Sequence, residues 1–264
     1  MRRGLCVAVL LLGLWSAAAA AAPPKQALLG VLFPEGYSAR QMVDRVAAVR
    51  RIAIAKHVTP RLTAKAYASA VAKAQPPLAF RRSMTTRKVE GFLFPSLYKF
   101  GPADAASRIV QLQLTEFGRE WKKVGPVTAA ANSYELLTVA SMVEREAALA
   151  NERPLVAAVI YNRLAKSMPL AIDATIRYGL GISGTRPLTK AQLQTDSAYN
   201  TRLRTGLPPT PISNPGLASL RAAARPARVD YLYYVRVPGT VRHFFTADDA
   251  EFCAKVLEYG YGGC

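Results

Sequence analysis

Two glutamates near the middle of the chain, Glu144 and Glu146, have a type and spacing that suggest chemistry. Glu146 follows Val139, Met142 and Val143 by seven, four and three residues, so on a helix it shares a stripe with apolar side chains. Burial against such neighbours raises the pKa of a carboxyl, which lets it act as a general acid near neutral pH. The spacing therefore predicts an acid at Glu146 and a different environment for Glu144, on the other shoulder of the same face. The alternative is two ordinary glutamates paired with arginines.

Arg163 also falls on an apolar stripe, because apolar residues precede it by seven, four and three positions. A buried guanidinium needs an anion, which Glu144 or Asp173 could supply. In that position Arg163 would hold a substrate-facing carboxylate or orient Asn162. The alternative is an arginine whose head extends to solvent at the end of a helix.

Other patterns with chemical meaning are weak in this sequence. Residues 179–184 match the dinucleotide fingerprint G-x-G-x-x-G, but Pro187 follows three residues later, where the fingerprint requires a helix. These glycines are therefore expected to form a flexible loop. Neither His57 nor His243 lies near a nucleophile-elbow pattern, and the cysteines and histidines do not have zinc-ligand spacing. We expect no metal and no cofactor.

Two helices must position these central residues. Asn132 followed by Glu135 resembles a capping box and predicts the start of the helix that carries both glutamates. Asn151 can begin a second helix, with Pro154 in its first turn, where proline is tolerated. Beyond Met168 the glycines and prolines predict irregular structure of a kind that is usually functional.

Short apolar runs at both ends of the chain predict strands beside the helices. Leu28 to Phe33 is strand-like, Ser38 can then begin a helix, and Pro76-Pro77 closes this first segment. Further patterns predict a helix at 103–121, a helix at 217–224, strands at 231–235 and through Phe245, and a last helix. Together they indicate an α+β fold, with a small strand–helix module at 28–80 and a catalytic domain at 88–258.

The first 22 residues have the layout of a signal peptide. Two arginines precede an apolar run from Leu5 to Leu14, and alanines up to Ala22 provide small residues for cleavage. The same stretch could instead be retained as a single membrane anchor. In both cases we expect the rest of the chain to be exported to the cell envelope.

The chain is strongly basic. It contains 35 Lys and Arg against 17 Asp and Glu, a formal net charge of +18. Such a charge attracts polyanions, and for an exported protein these are cell-wall polymers, anionic lipids and peptide carboxylates. Nucleic acid is the competing partner, and we do not expect it, because the basic residues are scattered and no nucleic-acid motif accompanies them.

Two cysteines lie near the C-terminal end of the chain, at Cys253 and Cys264. In an oxidising compartment they could form a disulfide bond. Such a bond would tie down the C-terminal tail rather than build a framework, and the sequence leaves this pairing open.

Twelve short motifs occur in one order along the chain. They are Pro34-Glu-Gly36, Glu90-Gly-Phe-Leu-Phe-Pro95, Ala140-Ser-Met-Val-Glu-Arg-Glu146, Glu152-Arg-Pro154, Asn162-Arg-Leu164, Met168-Pro-Leu170, Asp173-Ala-Thr175, Tyr178-Gly179, Tyr199-Asn-Thr201, Gly206-Leu-Pro-Pro209, Asn214-Pro-Gly216 and Tyr231-Leu-Tyr233. Each alone is weak evidence. From about Leu32 to His243, however, the ordered set resembles the endolytic murein transglycosylases, the YceG-like family.

This resemblance implies a lytic cut of the β-1,4 bond between N-acetylmuramic acid and N-acetylglucosamine, which leaves a 1,6-anhydromuramoyl end. It makes Glu146 the catalytic residue, first as the acid for the leaving oxygen and then as the base for the muramoyl 6-hydroxyl. A hydrolase would need a second carboxylate to activate water. The resemblance also implies substrate-binding or supporting residues in the cleft, which are Glu90, Asn162, Asp173, Tyr199, Asn200 and Asn214. The helical pattern adds Glu144 and Arg163 to the predicted substrate-binding residues.

The sequence departs from the family pattern in four places. Ala147 replaces the threonine after the catalytic glutamate, Ala174 replaces the proline of an Asp-Pro-Thr motif, and Ser96 replaces an acidic residue. The N-terminal region is also reduced. The three substitutions put the support of the cleft in question while retaining Glu146.

Three functions from different classes are consistent with these motifs. The favoured one is a lytic transglycosylase that trims or terminates peptidoglycan strands, with peptidoglycan synthases at the membrane as expected partners. The alternatives are a non-catalytic peptidoglycan-binding protein on the same scaffold and a hydrolase that uses water. The products separate the three, because only the first leaves anhydromuramoyl ends.

Overall fold

A computed structural model of the chain describes residues 28–84, 86–184 and 186–262. The predicted leader at 1–22 and the predicted disulfide partner Cys264 lie outside these residues, although Cys253 takes part in a disulfide bond. Within the described ranges, every helix is too short or too polar to cross a membrane.

The described residues contain nine α-helices and four strands. The helices are α1 (Ala39–Ala55), α2 (Ala64–Lys73), α3 (Ala106–Trp121), α4 (Ser133–Glu146), α5 (Arg153–Ala165), α6 (Asp173–Leu180), α7 (Lys190–Leu193), α8 (Leu217–Ala224) and α9 (Asp249–Glu258), and a 3-10 helix covers Leu78–Ser83. The strands are β1 (Leu29–Leu32), β2 (Leu97–Phe100), β3 (Tyr233–Arg236) and β4 (His243–Thr246). Helices with two small antiparallel sheets confirm the α+β prediction.

The N-terminal elements form a first layer of the molecule. Strand β1 pairs antiparallel with β2, with Leu32 opposite Leu97. Helix α1 begins at the predicted cap, where Ser38 and Gln41 form a complete capping box. The core beneath this layer includes Val31 from β1, α1 residues and the start of α3. The strand partner of β1 thus comes from the segment after residue 88, and the division into modules at 28–80 and 88–258 stays a prediction.

Helix α4 is the centre of the main core. Asn132 caps it as predicted, since its side-chain oxygen accepts hydrogen bonds from the backbone N–H groups of Tyr134 and Glu135. Tyr134 and all residues from Leu136 to Val143 are buried. The helix packs against α5, α8 and the segment around Ile212. Burial on this scale fixes the direction of α4, which ends at Glu146.

Two local predictions on either side of this core were wrong. Helix α5 begins after Glu152 rather than Asn151, and no side chain caps it, although Pro154 lies in its first turn as expected. The region beyond Met168, predicted to be irregular, contains α6 and α7. Gly179 is helical, and Gly181 ends α6 in the left-handed conformation with a φ of 66°. Helix α7 has only four residues, too few for a periodic apolar pattern, and Gly179 within α6 favoured a loop in the prediction.

Strands β3 and β4 form an antiparallel hairpin with Tyr234 opposite Phe245. Their positions match the predicted strands within about two residues, and α9 follows as expected. The hairpin packs against α5 and α9, which brings it beside the C-terminal end of α4. This placement brings the C-terminal part of the chain to Glu146.

Candidate active site

Glu146 is the last residue of α4, and its side chain is half-buried. The hydroxyl of Tyr234 donates a hydrogen bond to Glu146 Oε2 at 3.1 Å. Burial raises the pKa of Glu146, the Tyr234 hydrogen bond opposes that rise, and the nearby charge of Asp173 adds to it. Burial is the largest of these causes, which is the effect that the apolar stripe predicted. The raised pKa favours the protonated form, and a partly accessible carboxyl can deliver its proton to a ligand.

Tyr234 is a candidate functional residue that the sequence analysis did not identify. It lies on β3, and its ring packs against His243 and Phe245 of β4, with centroid distances of 5.4 and 5.7 Å. Burial and the neighbouring Glu146 raise the pKa of Tyr234 well above its usual range, so the phenol stays protonated and remains a donor. Its charge-assisted hydrogen bond stabilises the carboxylate form of Glu146.

His243 and Glu152 form a buried pair behind Tyr234. Glu152 Oε2 lies 2.7 Å from His243 Nδ1, and its Oε1 accepts the His243 backbone N–H at 3.0 Å. The two side chains are only 5% and 6% exposed. Glu152 precedes α5 and His243 begins β4, so this pair fastens the hairpin to the helix layer. The pair therefore fixes where Tyr234 meets Glu146.

Asn162 and Arg163 hold the segment that leads into the hairpin. Asn162 Nδ2 donates to the carbonyls of Val229 and Tyr231, both at 2.9 Å. Arg163 Nε donates to the Leu232 carbonyl at 2.5 Å. In the structure both residues position the strand that carries Tyr234, and their predicted contact with substrate stays a prediction.

Arg163 binds backbone carbonyls instead of the expected carboxylate. Its Nη1 donates to the carbonyls of Pro169 and Leu170 at 3.1 Å each, and its guanidinium lies 5.2 Å from the centroid of the Tyr233 ring. Main-chain carbonyls and an aromatic face thus replace the anion, because the helix end brings backbone oxygens within reach. The prediction that Glu144 or Asp173 pairs with Arg163 was wrong.

Asp173 begins α6 close enough to Glu146 to affect its charge. Its Oδ1 accepts from Arg202 Nε and Nη2, both at 2.8 Å. The side chains of this ion pair are 44% and 41% exposed, so the pair lies at the surface beside the carboxyl rather than beneath it. Asp173 and Glu146 are therefore brought together, and Arg202 balances the second negative charge.

Glu144 faces a different part of the molecule, as predicted. Its Oε2 accepts the backbone N–H of Gly216 at 3.0 Å, next to the start of α8. A side chain at Gly216 would overlap the carboxylate of Glu35, so the two carboxylates crowd the same backbone. Glu144 thus anchors the Asn214-Pro-Gly216 motif, and the structure separates it from the Tyr234–Glu146 contact.

Glu90 and Asn214 form a second, buried cluster. Asn214 Nδ2 donates to Glu90 Oε1 at 2.8 Å and to the Tyr37 carbonyl at 2.9 Å. Both carboxylate oxygens of Glu90 accept the backbone N–H of Ala39 at the start of α1, and the Tyr178 hydroxyl donates to Oε2. Burial raises the pKa of Glu90 to about 7, although these donors favour the charged form. The cluster ties α1 to α6 and to the loop before α8.

The buried Glu90 carboxyl predicts a pH-dependent stability. Below pH 4.5, its ordinary pKa, the group is protonated in both states. Between 4.5 and about 7 the unfolded chain ionises first, so stability falls as pH rises and the loss is complete above the folded pKa. Glu90→Gln should remove up to about 3 kcal/mol of that loss, as measured by urea unfolding at pH 5 and 8.

The exposed Glu258→Gln is the matched control and should keep the wild-type difference between the two pH values. Glu146 contributes in the same direction, since its pKa is also raised, and a Glu90→Gln Glu146→Gln double variant separates the two contributions. An unchanged pH difference in Glu90→Gln would contradict the assignment to Glu90.

Tyr199 packs against α6, and Asn200 lies next to the end of α7. The Tyr199 ring packs against Tyr178 with a centroid distance of 5.1 Å, and its hydroxyl lies 2.9 Å from Thr210 Oγ1. Asn200 is fully buried, and its Nδ2 donates to the carbonyls of Leu193 and Thr195. Asn200 therefore closes the turn after α7, whereas Tyr199 is partly accessible. Their predicted roles in substrate binding stay predictions.

Comparisons with known proteins identify similar sequences and a similar structure. A sequence model described as the YceG-like family matches residues 10–258. The chain is 39% identical over 150 residues to an endolytic murein transglycosylase of Bacillus subtilis (strain 168), covering 56% of this chain and 41% of that protein. It is 28% identical over 260 residues to an endolytic murein transglycosylase of Streptococcus pneumoniae (strain D39), covering 90% of this chain and 46% of that protein.

A solved structure is also similar. The crystal structure of a YceG-like protein from Listeria monocytogenes superposes with a TM-score of 0.66 at 30% identity, covering 84% of this chain and 74% of that chain. The chain spans less than half the length of the curated relatives it matches.

Proposed function

Because the chain belongs to the YceG-like family, we propose that it is an endolytic lytic transglycosylase of peptidoglycan. It cuts the β-1,4 bond between N-acetylmuramic acid and N-acetylglucosamine within glycan strands and leaves a 1,6-anhydromuramoyl end. The names of the relatives support this activity. The observation that carries the proposal is the partly accessible Glu146 carboxyl, whose pKa is raised by burial and which Tyr234 contacts.

The proposed reaction uses Glu146 twice. Its protonated carboxyl donates the proton to the glycosidic oxygen as the bond from that oxygen to the muramoyl C1 breaks. The resulting carboxylate then accepts the proton of the muramoyl 6-hydroxyl, whose oxygen forms the new bond to C1. Atoms balance without water, and Glu146 ends protonated. The nucleophile belongs to the substrate, so one carboxyl suffices, in contrast to the two of ordinary glycoside hydrolases.

Tyr234 supports the step in which Glu146 is negative. Its hydroxyl donates to Glu146 Oε2, and a hydrogen bond to a charged group contributes roughly 1.5–3 kcal/mol. Asp173 and Arg202 beside the carboxyl keep the local charge close to neutral. Asn162 and Arg163 position Tyr234 through the backbone carbonyls that precede β3.

Tyr234→Phe should lower the turnover rate by roughly 10- to 100-fold, since the carboxylate loses this donor. It should also raise the pKa of Glu146, because the Tyr234 hydrogen bond lowers that pKa. The reaction starts from protonated Glu146, so activity falls as pH rises through its pKa. The decline should therefore move to higher pH in the variant, as measured in pH–rate profiles.

Tyr231→Phe is the matched control, because Tyr231 precedes the same hairpin and packs against Phe245. It should keep the wild-type pH profile. A Tyr234→Phe profile that loses rate without any shift along the pH axis would argue for a purely structural role of Tyr234.

Product analysis by mass spectrometry tests the proposed function directly. Purified protein incubated with peptidoglycan strands should release fragments with 1,6-anhydromuramoyl ends. Reducing ends without anhydro sugar would identify a hydrolase, with Asp173 as the second carboxylate. Retention on peptidoglycan without products would identify a binding protein on the same scaffold.

The remaining parts of the proposal concern location and partners. The leader at 1–22 would direct the chain to the cell envelope, either as a cleaved signal peptide or as a single membrane anchor. There the enzyme would act on peptidoglycan strands beside membrane-bound synthases. The positive charge serves cell-wall polymers rather than nucleic acid, and tight, sequence-independent DNA retention in a filter-binding salt titration would contradict this.

A further inference from the structure

A large cavity is lined in part by α6, and Tyr234 is not among its lining residues. Its volume is about 820 Å³, within the range of roughly 300–1,000 Å³ that small-ligand pockets occupy. The start of α1, helix α2, the segment before Glu90 and helix α6 form its walls. Glu146 is not among its lining residues, so the cavity is a compartment beside the candidate active site.

The walls of this cavity are strongly basic. Five cationic side chains line it, which are Arg40, Arg87, Lys88, Arg145 and Arg177, and we call the space the basic cavity. The one carboxyl in its lining is Glu90, which three protein donors already engage. A cavity with this excess of positive charge favours an anionic ligand.

No acidic side chain in the described ranges forms an ion pair with any of the five cations. Arg145 Nη1 donates to the Gly36 carbonyl at 3.2 Å, and Arg177 donates to the carbonyls of Gly184 and Arg186. The Arg40 guanidinium lies against Gly181, where a side chain would collide with it. Backbone contacts thus orient three of the guanidinium groups without neutralising them, which leaves their charge available to a ligand.

The basic cavity and the candidate active site share two structural elements. Arg145 directly precedes Glu146 at the end of α4, and Ala174, which also lines the cavity, directly follows Asp173 at the start of α6. A substrate whose reacting sugar lies at Glu146 could therefore place a branch of that sugar in the cavity.

The chemistry of the substrate identifies which branch this is. The N-acetylated sugars of the glycan backbone are uncharged, and the lactyl group of muramic acid is joined by an amide bond to a short peptide. The negative charges of peptidoglycan are carried by the carboxylates of that peptide. Its attachment point lies on the same ring as the C1 atom at which the proposed reaction occurs.

We propose that the basic cavity binds the carboxylate-bearing peptide that branches from the muramic acid at the cleavage site. This inference rests on the proposed function and specifies its substrate as peptide-bearing strands. The cationic residues recognise the peptide carboxylates, and the position of the cavity beside α4 and α6 aligns the attached sugar with Glu146. Exposed cations act through a field that salt screens, so recognition weakens as ionic strength rises.

The experiment compares glycan strands that carry peptides with the same strands after an amidase has removed them. The wild-type full-length protein should show a kcat/KM at least about 10-fold higher on peptide-bearing strands, and the ratio should fall as salt is raised. An Arg40→Gln Arg177→Gln double variant should bring the ratio towards one. Arg51→Gln Arg82→Gln removes the same charge from exposed positions outside the cavity and should keep the wild-type ratio.

A binding measurement separates charge from shape. The probe is the synthetic tripeptide L-Ala-γ-D-Glu-L-Lys, compared with the same peptide whose carboxylates are converted to amides. Amidation should weaken binding to the wild-type protein at least about 10-fold and have little effect on the double variant. Equal wild-type activity on both kinds of strand, with equal binding of both peptides, would overturn the inference and leave the proposed function intact. Absence of anhydromuramoyl products from both kinds of strand would instead overturn the proposed function.

Discussion

Glu146→Gln is expected to reduce the release of anhydromuramoyl fragments at least about 10³-fold. General acid–base catalysis by one group contributes roughly 10² to 10⁴ in rate, and in the proposed reaction this one group serves both as acid and as base. Glutamine keeps the shape of the side chain and an oxygen that can still accept the Tyr234 hydroxyl. The measurement is the initial rate of anhydro-product formation by mass spectrometry.

The same substitution should leave the fold intact and should not lower stability above neutral pH. Because burial raises the pKa of Glu146, the ionised side chain is disfavoured in the folded state, and a neutral amide removes that penalty. Glu135→Gln, in the first turn of the same helix, is the matched control and should retain activity. Substantial product formation by folded Glu146→Gln would assign the proton transfer to a different residue.

Glu152→Ala is expected to lower the free energy of unfolding by about 3–5 kcal/mol. Removing the Glu152 carboxylate leaves both the ring nitrogen and the backbone N–H of His243 without their acceptor in a buried site, and each unsatisfied buried group costs roughly 1–3 kcal/mol. The pair also fastens the β3–β4 hairpin, so activity should fall together with stability. Urea unfolding gives the change in stability, and product release measured well below the unfolding midpoint gives the change in rate.

Two further variants define the cause. Glu152→Gln retains an acceptor for the backbone N–H of His243 and should lose less stability than Glu152→Ala. Glu258→Ala breaks a surface ion pair with Lys255 and should leave the unfolding midpoint unchanged. A Glu152→Ala protein with wild-type stability would show that the hairpin is held by its apolar contacts alone.

The features that the sequence predicted best depend on neighbours along the chain. Ser38 and Asn132 were identified as helix caps because capping uses residues only two or three positions away. The burial of Glu146 followed from the apolar residues on its own helix face. Helix α7 escaped prediction because its four residues are too few for a periodic pattern to appear. Helix α6 escaped because Gly179 lies within it and further glycines follow it, and these glycines favoured a loop.

The features that the sequence could not predict depend on pairs that are distant along the chain. Glu152 belongs to one of the twelve motifs, but no role was predicted for it, because its partner His243 is 91 positions away. Arg163 binds backbone carbonyls instead of the predicted anion. Every residue has a carbonyl group, so the sequence does not show which carbonyls an arginine will bind. Asn214 was expected in the cleft, whereas its amide and carbonyl groups join three separate segments in a buried cluster. Spacing along one helix gives no information on such pairs.

The contact between Tyr234 and Glu146 joins residues that are 88 positions apart in the chain. A chain synthesised from its N-terminus therefore completes α4 and its glutamate long before the hairpin that carries the phenol exists. Until that hairpin folds, Glu146 has no donor, and Asn162 and Arg163 lack the carbonyls that they bind in the finished protein. The hydrogen bonds around Glu146 thus require the C-terminal part of the chain. A chain arrested partway through synthesis would carry the proposed acid but not the environment that makes it useful.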